Sequence, residues 1–443
     1  MTSVDQRRIV GRSATVRRTI NNTIDNKLPL VLTLTVIGLF IPEELSFYLL
    51  GLRLTVVRFL FLLLAPLLLV KTIQKLSSGG YRFVLSDLLV VAIGFWFLYA
   101  PANVEDLQSA LNHAGPIVLE FCIAYFVPRI MIPDGGAALS FAALLSRTIA
   151  VVAWVGLLDT LTSHRFTHDL AAQLTAPMHN VDDWSDAYRM GLFRATGPVE
   201  HPILFGFVCA VGLLIAVAIP MRGRRFVILS CCLGTMISLS SAPIQIMVMG
   251  LGLLAYDRFL VRFAKRWLAL IVAATIAVLI TFMINDNPIG FVISHLTFSP
   301  ESGYYREWTW EAVLAYVSQS PWFGAGFGEL PEELNHSIDS LWLVLSIQFG
   351  YPAAWLVGFA FVSAGSLFRR GGKLPPEQAR LATAIGIILF LTIDIACTVH
   401  LWGCVWILSG VLLGLRARLT ELAYLARVAG PQGVILERSV LRA

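Results

Sequence analysis

Two stretches carry the residue types from which a reaction could be built. In "RATGPVEHPILFG", Arg194 to Gly206, an arginine, a glutamate and a histidine stand at the lip of a long apolar run. In "SGYYREWTWEAVLAYVSQSPWFGAGFGELPEELNHSIDSLWLVLSIQFG", Ser302 to Gly350, "RE" opens a helical pattern and "NHSIDS" leads into another apolar run. Together they offer Arg194 and Arg306 as cations, Glu200, Glu307 and Asp339 as carboxylates, and His201 and His336 as groups that titrate near neutrality. Guanidinium groups take phosphate oxygens through two parallel hydrogen bonds and stay charged at any physiological pH. A pair of them can hold a diphosphate and stabilise it as it leaves. A nearby carboxylate or imidazole can accept the proton of an attacking hydroxyl. The plain alternative is that Arg194 snorkels to lipid head groups. The acids of "DDWSD", Asp182 to Asp186, have the chemistry of a cation site, but solvated loop acids are commoner, so no metal and no cofactor is expected.

The elements that must position these residues follow from composition. Of 443 residues, 57% are hydrophobic and only 14% are charged, which excludes an ordinary soluble globular chain. Crossing a hydrocarbon core takes about 20 mostly apolar residues as a helix, and about twelve such runs are present. They lie near Leu28 to Ile41, Leu54 to Ile73, Ser86 to Ala100, Leu111 to Val127 and Ala137 to Leu158. After a polar interval come Pro202 to Pro220, Phe226 to Leu239, Ala242 to Tyr256 and Trp267 to Ile284. The last three are Leu341 to Leu367, Ala379 to Cys397 and Leu401 to Leu415. The expected fold is an all-α polytopic membrane protein with about twelve transmembrane helices.

Basic residues in short loops favour the cytoplasmic side. The N-terminal tail, Lys71 to Arg82, "MRGRR" at Met221 to Arg225, "DRFLVRFAKR" at Asp257 to Arg266, and Arg369 to Arg380 all precede the first run or follow an even-numbered one. Both termini are therefore expected in the cytoplasm. The organisation reads as a basic tail over 1–27, transmembrane helices over 28–158, a long outer loop over 159–201, helices over 202–284, a second long outer loop over 285–340, helices over 341–415, and a cytoplasmic tail over 416–443. An arginine on the outer side runs against the positive-inside bias, which weighs against anchoring as the whole account of Arg194.

The first long loop opens with "DTLTSHRFTHDLAAQL", spaced like a helix at a membrane interface. The second contains a helix whose apolar face is Trp310, Val313, Leu314 and Val317, ended by "SPWFGAGFG". All six cysteines lie in or beside apolar runs, so no structural disulfide is expected in the outer loops. The net charge of +5 speaks for topology and anionic lipid, not nucleic acid. Asp394 and His400 read as cavity-lining residues or as partners of neighbouring polar groups.

In these motifs the chain resembles the O-antigen ligase and polysaccharide polymerase superfamily. The shared features are "R..G....P...G" at Arg194 to Gly206, "SLSSAP" between two spans, "R...W.A" at Arg306 to Ala312, "P..G.G.G" at Pro321 to Gly328, and "DSLWL" leading into a span that reaches Gly350. The resemblance implies a metal-independent, inverting membrane glycosyltransferase acting on polyprenyl-diphosphate-linked oligosaccharide at the periplasmic face of a bacterial inner membrane. It carries Arg194 and Arg306 over as diphosphate binders. The family's catalytic histidine position falls on Asp339 and Ser340, with His336 one helical turn earlier, so His336 and Asp339 both stand as the base. Glu200, His201 and Glu307 would orient the arginines or the acceptor. "HPILFG" preceded by an acidic residue is more similar to polymerases of exopolysaccharide repeat units than to ligases. Chain-length regulators and export proteins are further implied partners. A lipid-linked oligosaccharide flippase or secondary transporter is the reading from a different class. Such proteins keep their working charges near the bilayer midplane, whereas here they crowd the outer loops.

Overall fold

A computed structural model of the chain describes residues 28–49, 52–175, 187–284, 300–334, 338–365 and 374–428. It is all-α apart from two small hairpins. The expected first span is a short helix, α1 (Leu30–Gly38). A hairpin of β1 (Ser46–Leu49) and β2 (Leu52–Thr55) then pairs Ser46 with Thr55 and leads into α2 (Val56–Ser77). There follow α3 (Leu85–Tyr99), α4 (Leu107–Met131), α5 (Gly135–Thr162) and the short α6 (Phe166–Thr175). A second hairpin, β3 (Tyr188–Arg189) with β4 (Leu192–Phe193), precedes α7 (Pro202–Ala218), α8 (Arg224–Ile237), α9 (Ser241–Phe259) and α10 (Arg266–Ile284). The remaining helices are α11 (Pro300–Val317), α12 (Leu341–Phe349), α13 (Tyr351–Gly365), α14 (Pro376–Ile395) and α15 (Gly403–Val428).

Seven of the described helices are long and apolar enough to cross a membrane: α2, α3 with the turn that follows it, α4, α5, α10, α14 and α15. Their outward faces support that reading. Leu63, Leu69 and Ile73 of α2 are largely exposed, and Trp267 is the only buried residue of α10. In water such a surface would be an aggregation site; in lipid it is an ordinary helix face. α15 is the central helix, lying against α4 and α14, and its apolar residues form one continuous core with those of α5, α7 and α13.

Two features depart from the sequence reading. The run from Leu341 to Leu367, expected as one span, is divided into α12 and α13 at Gly350, whose φ of 78° interrupts the helix. The segment expected as the tail from residue 416 begins as an unbroken continuation of α15 to Val428, and its Arg416, Arg418 and Glu421 are all buried.

Arg418 and Glu421 belong to a network that the apolar spans conceal. Arg129 of α4 is fully buried and grips Asp87 of α3 with two nitrogens, Nε to Oδ1 at 2.9 Å and Nη2 to Oδ2 at 3.0 Å. Its Nη1 donates to Glu421 of α15 at 2.5 Å, and its face lies 4.5 Å from the ring of Tyr81. Arg418 also donates to Glu421. Paired ionisable groups of this kind fix the register of three helices against one another.

Candidate functional site

The first loop returns to the helical bundle through a buried polar scaffold. Asp159, in the last turn of α5, accepts hydrogen bonds from the Thr196 N–H at 3.1 Å, the Thr196 hydroxyl at 3.0 Å and the Gly197 N–H at 2.6 Å, with the Phe166 N–H on its other oxygen. Thr167 donates to the Gly197 carbonyl at 2.6 Å. His168 lies 2.7 Å from Glu44 and 3.1 Å from the Val199 carbonyl. Burial alone would push Glu44 upward, but the hydrogen bond and charge of His168 outweigh it and hold the carboxyl below its ordinary value. "RATGPVEH" is thus clamped along its length, with Ala195 to Val199 buried.

Arg194 is buried, at 2% exposure, and its fork faces the break between α8 and α9. Its Nη2 donates to the Ser240 hydroxyl at 2.7 Å and its Nε to the Ser238 carbonyl at 3.4 Å. Arg189 reaches the Leu239 carbonyl at 3.1 Å, and the Ala195 N–H donates to Ile237. The end of a helix leaves carbonyls unsatisfied and slightly negative, so two guanidinium groups there are favourable. Leu239 has a φ of 49°, a left-handed conformation in which a non-glycine residue is strained, and the arginines hold it. The expected split within "SLSSAP" is therefore real, and Arg194 supports it.

His201 caps α7, its Nδ1 accepting the Ile203 N–H at 3.2 Å. Burial, reinforced by Arg194, Arg165 and Arg189, pushes its pKa down to about 3, so the ring is neutral. Glu200 crosses to the start of α15, where Oε1 accepts the Cys404 N–H at 2.9 Å. Its burial and the neighbouring Glu43 raise its pKa well above the ordinary carboxylate value.

The second loop reaches the same connector from the opposite side. Trp310 of α11 donates to the Cys397 carbonyl at 3.1 Å, and Ser340 and Leu341 donate to the Ala396 carbonyl at 3.1 and 3.0 Å. The glycines of "PWFGAGFG" permit close backbone approach: a Cβ on Gly350 would fall on the Trp322 carbonyl, and one on Gly324 on the Ile347 carbonyl. Glu105, between α3 and α4, accepts the Phe327 N–H and secures the loop to the bundle.

Arg306 and Asp339 face each other at 3.6 Å across a crevice lined also by Tyr305, Thr309, Trp310, Ser340 and Cys397. Arg306 Nε is buried with no hydrogen-bond partner among the described residues. The crevice has a volume of about 10 Å³, room for no more than one water. Glu307 is half-buried beside Arg306 but does not line the crevice. His336 lies outside the described residues.

The segment from Ala396 to Cys404 is where the two loops come together. Glu200 binds one end of it, while Ser340, Leu341 and Trp310 bind the other. Between them, the Trp402 ring lies 5.8 Å from His201 and 5.2 Å from His400. Burial lowers His400 to about 4, opposed by the charge of Asp339. A row of polar side chains therefore runs from Arg194 and His201 through Trp402 and His400 to Asp339 and Arg306. Asp159, Arg165 and His168 were missed by the sequence reading of the site. The available signal was a set of ionisable residues within and just beyond one apolar run. No group of three or more metal-ligating side chains occurs among the described residues. No protein-family model and no curated protein sequence matches the chain.

Proposed function

We propose that this chain polymerises polyprenyl-diphosphate-linked oligosaccharide repeat units, acting as a metal-independent inverting glycosyltransferase of the O-antigen ligase and polysaccharide polymerase type. The bundle would cross a bacterial inner membrane about twelve times, with cytoplasmic termini and the loop junction facing the periplasm. The observation that carries the reading is the Arg306–Asp339 pair at 3.6 Å, held at a connector that also receives the first loop through Glu200.

In the proposed reaction, Arg306 exchanges Asp339 for the diphosphate of the growing chain. The freed carboxylate accepts the proton of an acceptor hydroxyl as its oxygen attacks the anomeric carbon. The bond from that carbon to the diphosphate oxygen breaks, and the electron pair leaves with the lipid diphosphate. His336 is the second candidate for the base. Arg194 supplies positive charge from beneath the α8–α9 break, and Glu200 and His201 hold the two loops in register.

Deletion of the gene separates this activity from its competitors. Lipid-linked single repeat units accumulating outside the cytoplasm support a polymerase. Units trapped inside point to a flippase, and long chains left on polyprenyl diphosphate without transfer to a terminal acceptor point to a ligase.

A further inference from the structure

The far end of α15 carries a second polar site, independent of the loop junction. From Gly403 to Arg427 the helix runs about 36 Å at 1.5 Å per residue, so this end lies across the bundle from Glu200. There, a cavity of about 740 Å³ opens between the segment before α3, the end of α13 and the last turns of α15. Its walls include Arg82, Arg416 and Arg427, and the Thr420 hydroxyl, which accepts from Arg416 at 2.9 Å and donates to the Arg416 carbonyl at 3.0 Å. Among the described residues that line it, the one carboxylate is Glu421, which is already paired from behind by Arg129 and Arg418. The described lining therefore carries more positive than negative charge. Its rim is apolar and outward-facing: Phe83 is 75% exposed, Leu85 61% and Tyr424 48%. A cationic recess beside exposed apolar side chains matches a molecule with an anionic head and an acyl body.

We propose that this cavity binds the phosphate head of an anionic phospholipid, with Arg82, Arg416 and Arg427 around the phosphate and Phe83, Leu85 and Tyr424 against the chains. The size suits it, since small-molecule sites commonly span about 300–1,000 Å³. Arg82 is placed by the buried network: its N–H donates to Glu421 at 2.8 Å and its carbonyl accepts from Arg129 at 2.7 Å, while its side chain stands 5.7 Å over the Tyr424 ring. A bound lipid would thus tie α3 to α15 where the helices meet the interface.

Native mass spectrometry of the full chain, purified from an equimolar mixture of phosphatidylglycerol and phosphatidylcholine, tests the proposal. The wild type should retain phosphatidylglycerol in clear excess. Arg82→Ala with Arg427→Ala should lower that retention about 25-fold, about fivefold per arginine, and leave phosphatidylcholine unchanged. Both side chains are exposed, and the Arg82 main-chain contacts survive the change. The corresponding double Lys variant should restore most of the retention. Equal retention of the two lipids by the wild type overturns the proposal even if the Ala variant fails to fold. Undiminished retention by a folded Ala variant also overturns it. Displacement of phosphatidylglycerol by millimolar inorganic phosphate would identify a free anion as the ligand and contradict the lipid assignment.

Discussion

Glu200 accepts the backbone N–H of Cys404 at 2.9 Å, joining residues 204 positions apart in the chain. The donor is one of the first N–H groups of α15, which have no partner within their own helix. A residue of the first loop therefore caps the central helix of the bundle, and the connector that the second loop also grips is fixed at that point.

The environment of Glu200 makes its stability contribution depend on pH. Burial and Glu43 raise its folded-state pKa, so the folded chain holds a proton that the unfolded chain releases. Stability should fall as pH rises above about 4.5, the unfolded value, towards the raised folded value. Glu200→Gln keeps a carbonyl oxygen for Cys404 and cannot ionise. Its thermal midpoint in detergent should be flatter than that of the wild type between pH 5 and 8.

His201 behaves in the opposite sense. Its pKa is pushed down to about 3, whereas the unfolded ring titrates near 6.5, so stability is complete above that value and is lost as pH falls. At pH 5 the penalty is about 2 kcal/mol. His201→Asn keeps a capping acceptor without the titration. The variant should lose less thermal stability than the wild type between pH 7 and pH 5.

Asp159 holds four hydrogen bonds to the first loop and α6. Asp159→Ala leaves the N–H groups of Phe166, Thr196 and Gly197 without that acceptor, at about 1–3 kcal/mol each where they are buried. The expected result is a strong drop in folded yield, with Asp159→Asn intermediate. Equal thermal midpoints for Asp159→Ala and wild type would contradict the scaffold role.

The apolar runs located most of the long helices because burial in lipid demands an uninterrupted apolar stretch, and that demand is local. The division at Gly350 was not legible, since it arises from the Trp322 carbonyl approaching from another part of the chain. The Asp87–Arg129–Glu421 network escaped for the same reason. Each residue looks costly alone, and only the fold supplies its partners. In the site, charge type pointed to Arg306 and Asp339, which do face each other. Charge type equally points Arg194 toward an anion, and in the structure its fork donates to Ser240 and to the Ser238 carbonyl at the end of α8. That role depends on a strained Leu239, which no spacing rule reveals.

The two arginines should respond differently to a change that keeps charge and removes the fork. Purified full-length protein, supplied with a lipid-linked repeat unit, allows polymerisation rate and thermal midpoint to be measured on the same sample. Arg194→Lys should lower both, because the α8–α9 break loses its support. Arg306→Lys should lower the rate about 10²-fold or more while the midpoint stays near that of the wild type. An Arg306→Lys protein that is folded and polymerises at the wild-type rate would contradict the proposed diphosphate site.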